Sequence, residues 1–420
     1  MKSWKTIKLK ECIIQLNTGL NPRKNFSLGE GNIKYITAKN LTKEGFIDFS
    51  NCAYVDSKAK EIIHKRSDIR KGDILFSSRA PVGHCHLINY EPDFYDIGES
   101  IFSIRVNENI VLPEYLCLYL SSDLFINTAS NKVSGSVIQE IRISDLLDTD
   151  ILIPDKTVQS SIAKFIGNID KKIELNKAIQ NDLEGMAKLL FDYWFIQFDF
   201  PNNNKKPYKT YGGKMVWNNE LKKDIPEKWQ VGTLHNLCNV VWGQCPEGKY
   251  ILNKDTLEDN ILDYCSGAGD MRNGFVVDCQ AKTFVNTSRR MAHCNAVLLS
   301  VAGSIGAICV TDHDISLGRA AVAFESKDIT NNMFIINVLK MLSNQVQNLA
   351  SGSIQKVINT DHIESMKFAY DIDALKEYGT VTNEIYKQIV AVSLENKCLM
   401  DMRDFLLPML ITEQISINYE

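Results

Sequence analysis

The hydrophobic pattern divides the chain into long helical stripes and short apolar runs. Ile162, Ile166, Ile169, Ile173, Leu183, Met186 and Leu190 recur at helical spacing, as do Ile385, Ile389, Val392, Leu399, Leu406 and Leu410. Each stripe spans about 35 to 40 residues, roughly 50 to 60 Å of continuous helix. That length exceeds an ordinary globular helix and predicts a two-helix coiled coil. Asn176 and Asn396 fall on the apolar seams near the two midpoints. In an antiparallel pair they form a buried polar layer that fixes register, unless each faces solvent at the edge of its stripe. Pro154-Asp155 predicts the start of the first helix, and Pro408 lies near the end of the second.

The short runs read as strands at 33–37, 73–77 and 100–106, and again at 296–300 and 320–324. They alternate with helical runs at 113–120 and 333–342. The two sets are copies. Asp73-Ile74-Leu75-Phe76-Ser77 through Gly83 aligns with Ala296-Val297-Leu298-Leu299-Ser300 through Gly306. Gly45-Phe46-Ile47 aligns with Gly274-Phe275-Val276, and Ser134-Gly135-Ser136-Val137 with Ser351-Gly352-Ser353-Ile354. Three matches in one order, with slowly drifting offsets, indicate a duplication with small insertions. Between the copies, 199–229 contains Pro201-Asn202-Asn203-Asn204, Gly212-Gly213 and Pro226 and reads as a connector covering surface.

Composition narrows the class. With 420 residues, 45% of them hydrophobic, the chain is long enough for two or three cores. Its 47 basic and 51 acidic side chains exclude a uniformly basic nucleic-acid coat. The acidic excess is local, because 371–420 holds 4 basic and 9 acidic residues while 1–154 holds 19 of each. That final helix suits contact with protein, which leaves two near-neutral lobes free to gather positive charge on one face. Eleven cysteines without a C-x-x-C support neither a disulfide framework nor a zinc ribbon, so a reducing cytoplasm is the expected location. The basic N-terminus lacks a signal-peptide core, and the uncharged run 294–310 is too short and too glycine-rich to span a membrane.

Catalytic motifs are incomplete. Ser266-Gly267-Ala268-Gly269-Asp270 after an apolar run has the form of a glycine turn for S-adenosylmethionine, but no Asn-Pro-Pro-Tyr or Asp-Pro-Pro-Tyr run accompanies it. No P-loop occurs, and Gly303-Ser304-Ile305-Gly306 matches the turn at 80–83. Asp314 with Glu325-Ser326-Lys327 hints at a nuclease centre, but the aligned segment of the first copy does not reproduce it. His84-Cys85-His86 and His293-Cys294 lack a second ligand pair. Strand alternation places Cys85 in the core and the two histidines outward. A recognition protein fits better than an enzyme.

The run Leu189-Leu190-Phe191-Asp192-Tyr193-Trp194-Phe195, then Gly212-Gly213-Lys214 and Ile225-Pro226-Glu227-Lys228-Trp229, resembles the junction in specificity subunits of type I restriction-modification systems. The two glycine-terminated strands and the two Ser-Gly-Ser runs resemble that family's target-recognition domains. The resemblance implies an α+β chain in which two pseudo-twofold-related α/β target-recognition domains are joined by two long antiparallel helices forming a coiled coil. On this reading 1–154 is the first target-recognition domain, 155–200 the central helix, 201–370 linker plus second domain, and 371–420 the C-terminal helix. Asp373-Ala374-Leu375-Lys376-Glu377 departs from the family's Glu-Gln helix start and leaves the capping of that helix open.

The implied partners are double-stranded DNA with a split recognition site, two methyltransferase subunits and motor-nuclease restriction subunits, without a membrane. No cofactor is expected in this chain; S-adenosylmethionine, ATP and Mg belong to the partners. Expected DNA contacts are Lys39, Lys58, Lys65, Arg66, Arg79 and Gln139 in the first copy, and Arg272, Asn273, Arg289, Arg290, Arg319 and Gln355 in the second. Arginine suits guanine, and Asn or Gln suits adenine. Two other readings stand beside this one: a DNA methyltransferase using Ser266 to Asp270, and a protein scaffold that reads no DNA.

Overall fold

The computed structural model describes residues 4–23, 25–130, 140–253, 261–271, 274–279, 283–285, 290–349 and 357–417. The Ser-Gly-Ser runs of both copies lie outside them. The chain divides into two compact units, Met1–Ile173 with Cys398–Glu420, and Glu174–Lys397. Each unit therefore takes a portion of both long helices, Lys156–Phe191 and Ile372–Ile411.

The first unit is built on a four-stranded antiparallel sheet in the order Ile13–Thr18, Ile101–Val106, Ile74–Ser77, Cys85–Leu87. Ile74 and Phe76 enter one core and Leu75 another, so this strand is buried on both faces and reads as a continuous apolar run. A second sheet pairs Ile33–Ile36 parallel to Tyr95–Ile97 and antiparallel to Ala53–Val55. Lys5–Lys8 pairs with Asp150–Ile153.

The second unit repeats this plan. Its four-stranded sheet runs Cys238–Trp242, Ala321–Ser326, Val297–Ser300, Ile308–Val310. Val297 and Leu299 again enter one core and Leu298 another. Leu262–Cys265 lies parallel to Ile315–Leu317, within a larger five-stranded sheet, and Gln230–Gly232 pairs with Phe368–Tyr370.

Small features repeat as well. Ser77 Oγ donates to Pro81 O and accepts from His84 N, while Ser300 Oγ donates to Ser304 O and accepts from Ala307 N. A Cβ on Gly19 would sit 2.0 Å from Ile97 O, and one on Gly243 would sit 2.0 Å from Gly318 O. Only glycine permits that approach of two strands.

The long helices are capped by aspartates. Asp155 Oδ1 accepts from Val158 N, and Asp371 Oδ1 accepts from Asp373 N and Ala374 N. The departure from Glu-Gln therefore leaves the second helix properly capped, one residue before its first turn. Pro408 sits inside the last turn of that helix rather than after it.

Within the first unit, Ile162, Ile166, Ile169 and Ile173 share a core with Leu407, Leu410 and Ile411. Asp170 pairs with the buried Arg403 at 2.6 Å. Each of those apolar side chains contributes about 1.5 to 3 kcal/mol on burial. Within the second unit, Tyr378 OH donates to Ala187 O and Asn176 Nδ2 donates to Glu395 Oε2 at 2.7 Å. These two pairings run in opposite directions along the helices, which are therefore antiparallel here. Asn176 and Asn396 are both buried, so the polar layer lies on the seam and not at a solvent edge.

The connector is more structured than its composition implies. Met215–Asn218 and Lys223–Pro226 form a hairpin. Phe198, Phe200 and Trp229 join the core of the second unit, and buried Asp199 accepts from both Thr210 N and Thr210 Oγ1.

Candidate nucleic-acid interface

The first unit presents a groove lined by Gln15, Asn17, Glu61, His64, Lys65, Arg66 and Asp68. One wall is the strand Ile13–Thr18. A bulge at Ile14 shifts its register, so Gln15 lies opposite Arg105 and Asn17 opposite Ser103. The other wall is the helix Ser57–Ser67, capped by Asp56, whose carboxylate accepts from Ala59 N at 2.7 Å. Ala59, Ile63 and Ser67 face the core, which leaves Lys58, Lys65 and Arg66 exposed on the opposite face.

Arg105 fixes this wall. It donates to both oxygens of Asp73 at 2.8 Å, to Gln15 Oε1 at 2.6 Å, to Asp68 Oδ2 at 3.1 Å and to Asp68 O at 2.7 Å. Asp68 ends the helix in a left-handed conformation with φ of 43°, and Arg105 holds it there. The Asp73 carboxylate raises the Arg105 pKa and keeps its charge in place, while hydrogen bonds from Arg70 and then Arg105 lower the Asp68 carboxyl below the usual carboxylate range against the opposing effect of burial.

Beneath the groove, Asp96 accepts from Ser67 Oγ at 2.6 Å and faces His64 Nδ1 at 3.2 Å. Burial outweighs these contacts and pushes its carboxyl above the usual range. At the mouth, Asn17 Nδ2 donates to Ser67 O and Arg66 Nε donates to Thr18 Oγ1. Guanidinium carries five N–H donors, so the terminal nitrogens of Arg66 are left for an external acceptor. An aimed guanidinium, an ammonium and an amide at one groove suit a base edge or a phosphate.

The expected contacts separate into four groups. Lys65 and Arg66 line the groove, and Lys58 lies on the same helix. Lys39 and Arg79 are exposed elsewhere in the unit; Lys39 sits in the Ala38–Asn40 turn, and Arg79 is paired with Glu99 at 2.8 Å and Glu140 at 3.3 Å. Arg290 and Arg319 are exposed in the second unit, both at the end of the Met291–Ala292 and Ile315–Leu317 pair where Leu317 N donates to Arg290 O. Gln139, Arg272, Asn273, Arg289 and Gln355 lie outside the described residues. Gln15, Asn17 and His64 were not expected. The first two stand two apart on one strand face, and that alternation was the available signal.

The tempting motifs resolve into structure. Ser266 N and Oγ both donate to Asp270 Oδ2 at 2.7 Å, closing a short turn at Ala268–Met271. Thr37 N and Oγ1 donate likewise to Asn40 Oδ1 at the matching place in the first unit. The glycine turn is thus a repeated capped corner, and among the described residues no long helix follows it directly. Cys85 is buried as expected, but His84 and His86 are half-buried rather than outward, and their Nδ1 atoms meet Leu41 O and Gly45 O. Asp314 binds His293 and Cys294 N, whereas Lys327 reaches Asn236 O. Among the described residues no group of three or more side chains could hold a metal, and no helix is long and apolar enough to cross a membrane.

Two copies of one sheet-and-helix plan, with recognition donors in place of reactive groups, define a duplicated recognition protein. The model of the type I restriction modification DNA specificity domain matches residues 1–185 and 226–370. The chain belongs to this family of non-catalytic specificity subunits. It is 24% identical over 478 residues to the type I restriction enzyme HindI specificity subunit of Haemophilus influenzae, covering 99% of this chain and 100% of that one. It is also 24% identical over 430 residues to the MjaIX specificity subunit of Methanocaldococcus jannaschii, covering 99% and 94%. The crystal structure of a type I restriction-modification S subunit from M. genitalium shares the fold, with a TM-score of 0.53 at 15% identity over 100% of this chain and 97% of that one.

Proposed function

We propose that each unit reads one half of a split DNA site and that the long helices seat the subunits that act on it. The carrying observation is the repetition of the four-stranded sheet, of the parallel pair beside it and of their turns, with different side chains at matching positions. Two such heads in one chain suit a bipartite target. In the first unit Lys65 and Arg66 would meet phosphate or a guanine edge, with Asn17 beside them.

The helix face supports docking. Leu175, Ile179, Met186 and Leu189 recur at spacings of four, seven and three on Lys156–Phe191 and are all exposed, Leu189 to 70%. An apolar stripe left in solvent marks a protein interface. Methyltransferase subunits are the proposed occupants, with motor-nuclease subunits completing the assembly. S-adenosylmethionine, ATP and Mg2+ would belong to those partners.

The test is methylome sequencing of cells expressing this chain with and without its methyltransferase partner. The expected result is one new split motif that requires both proteins. Methylation by this chain alone, or a contiguous motif, would overturn the reading.

A further inference from the structure

The segment 198–229 bears a charge that the reading heads do not use. It holds seven lysines against three carboxylates between 201 and 229, although the chain as a whole is acidic. Two of the three carboxylates are already engaged, Glu227 by Lys214 and Glu220 by Lys367. Lys205, Lys206, Lys209, Lys222 and Lys228 are exposed and have no ion-pair partner among the described residues. Five uncompensated ammonium groups on one short segment need an external anion or a shell of counterions.

The scaffold under these lysines is rigid. Asp199 clamps Thr210, and Asn202 Oδ1 accepts from Asn204 N and Lys206 N. Phe200 stacks on Tyr208 at 4.7 Å, and Tyr208 OH donates to Lys214 O. Lys205 and Lys222 adopt left-handed backbone conformations, with φ of 55° and 49°. Lys223 lies over the Phe198 ring at 4.9 Å, where burial and the nearby Lys209 charge lower its pKa. The Lys209 and Lys223 charges are thus held near each other on a fixed frame. Two large aromatics stand among them, Tyr211 at 58% exposure under the Lys206 ammonium and Trp217 at 62%.

We propose that this segment is a sequence-indifferent contact for the phosphate backbone of duplex DNA, separate from the groove that reads bases. Lysine is a flexible point charge, suited to phosphate and poorly suited to bidentate base readout. The family model breaks off at 185 and resumes at 226, so most of the segment lies outside the matched specificity domains. An acidic protein surface is the competing occupant. The exposed apolar stripe that marks such an interface lies on the long helix and not here. The inference rests on the DNA-reading function proposed above.

The test uses the full chain assembled with its methyltransferase partner. Lys205→Asn, Lys206→Gln, Lys209→Gln and Lys222→Asn are combined, with Asn at the two left-handed positions because it tolerates them. Affinity for a site-bearing and a site-free duplex is measured across salt concentrations. Both affinities should fall about ten- to hundredfold near 0.1 M salt, and the salt slope should become shallower by roughly 3 to 4. The ratio between the two duplexes should stay unchanged. A variant with arginine at the same four positions should bind as the wild type does. Undiminished DNA affinity would overturn the proposal, and if assembly with the methyltransferase failed instead, the anion would be a protein. A wild-type complex unable to tell the two duplexes apart would overturn the reading function itself, an outcome visible before any variant is made.

Discussion

Where the first unit places Arg105, the second places Glu325, on the same strand of the same sheet opposite Gln15 and Asn239 respectively. Asp73 gives way to Ala296, Asn17 to Val241 and Asp96 to Ser316, by the same register. The frame does not change with them. Tyr35 and Tyr264 both pack against a glycine, Gly98 and Gly318, and the Ser77 and Ser300 turns are alike. Positions that hold the backbone together are therefore alike, while those beside the groove exchange a charge for its opposite or for none, or, at Asn17, an amide for an alkyl group. Glu325 accepts from Asn239 and from His293 N, so the second unit solves the same junction with a carboxylate.

Removing Arg105 and Glu325 in turn separates the two junctions. Arg105→Ala leaves Asp73, 1% exposed, as a buried carboxylate without its counter-charge. The expected cost is about 3 to 5 kcal/mol, seen as loss of the first unit in urea unfolding. Glu325→Ala, half-buried on an inner strand and held only by hydrogen bonds from Asn239 and His293, should cost less, under about 2 kcal/mol. Equal losses would mean that the two nodes do the same structural job.

A second pair tests the shared frame. Gly19→Ala and Gly243→Ala each drive a Cβ against a backbone carbonyl oxygen that cannot rotate away. Each should destabilise its own unit by about 1 to 3 kcal/mol, and by similar amounts. A clear inequality between them would show that the two frames have diverged.

The smallest expected effect is a pH dependence confined to the first unit. The Asp96 carboxyl is held above the usual range by burial, so the folded state keeps its proton to higher pH than the unfolded chain does. Its contribution to stability is present at low pH and is lost as pH rises through the raised value. Relative to Asp96→Asn, the wild type should gain stability as pH falls from neutrality toward the ordinary carboxylate range. Ser316, at the matching place, allows no such term. Parallel stability curves for wild type and variant would remove Asp96 from the account.

The duplication and both long helices with their apolar seams were legible because they rest on repeated pattern, which survives any change of surface residue, whereas the antiparallel sense came only from the family resemblance. Asn176 could be placed on the seam by counting turns, but its partner Glu395 could not, since the contact joins residues 219 apart. The groove was only half legible. Lys65 and Arg66 stood out as a basic run, whereas Arg105 looked like one strand residue among many until pairing set it against Gln15, Asp68 and Asp73. Arg79 shows the converse. It had the right type in a strand-end position, yet Glu99 and Glu140 compete with any phosphate for its guanidinium. Local sequence does not reveal a neutralising partner that arrives from 61 residues away. The Asp199–Thr210 clamp was hidden for the same reason in a stretch whose Pro, Asn and Gly content signals only a turn.

The proposed function requires two reading faces that act independently. It is tested most directly by replacing Asn17 with valine, the residue at the matching place in the second unit, together with Arg66→Gln, and sequencing the resulting methylation motif. The groove lies wholly in the first unit, so preference should relax at positions within one half-site, by roughly tenfold or more per lost base contact. The other half-site and the spacer length should be unchanged. Relaxation of both halves together, or an unaltered motif at full occupancy, would contradict the account.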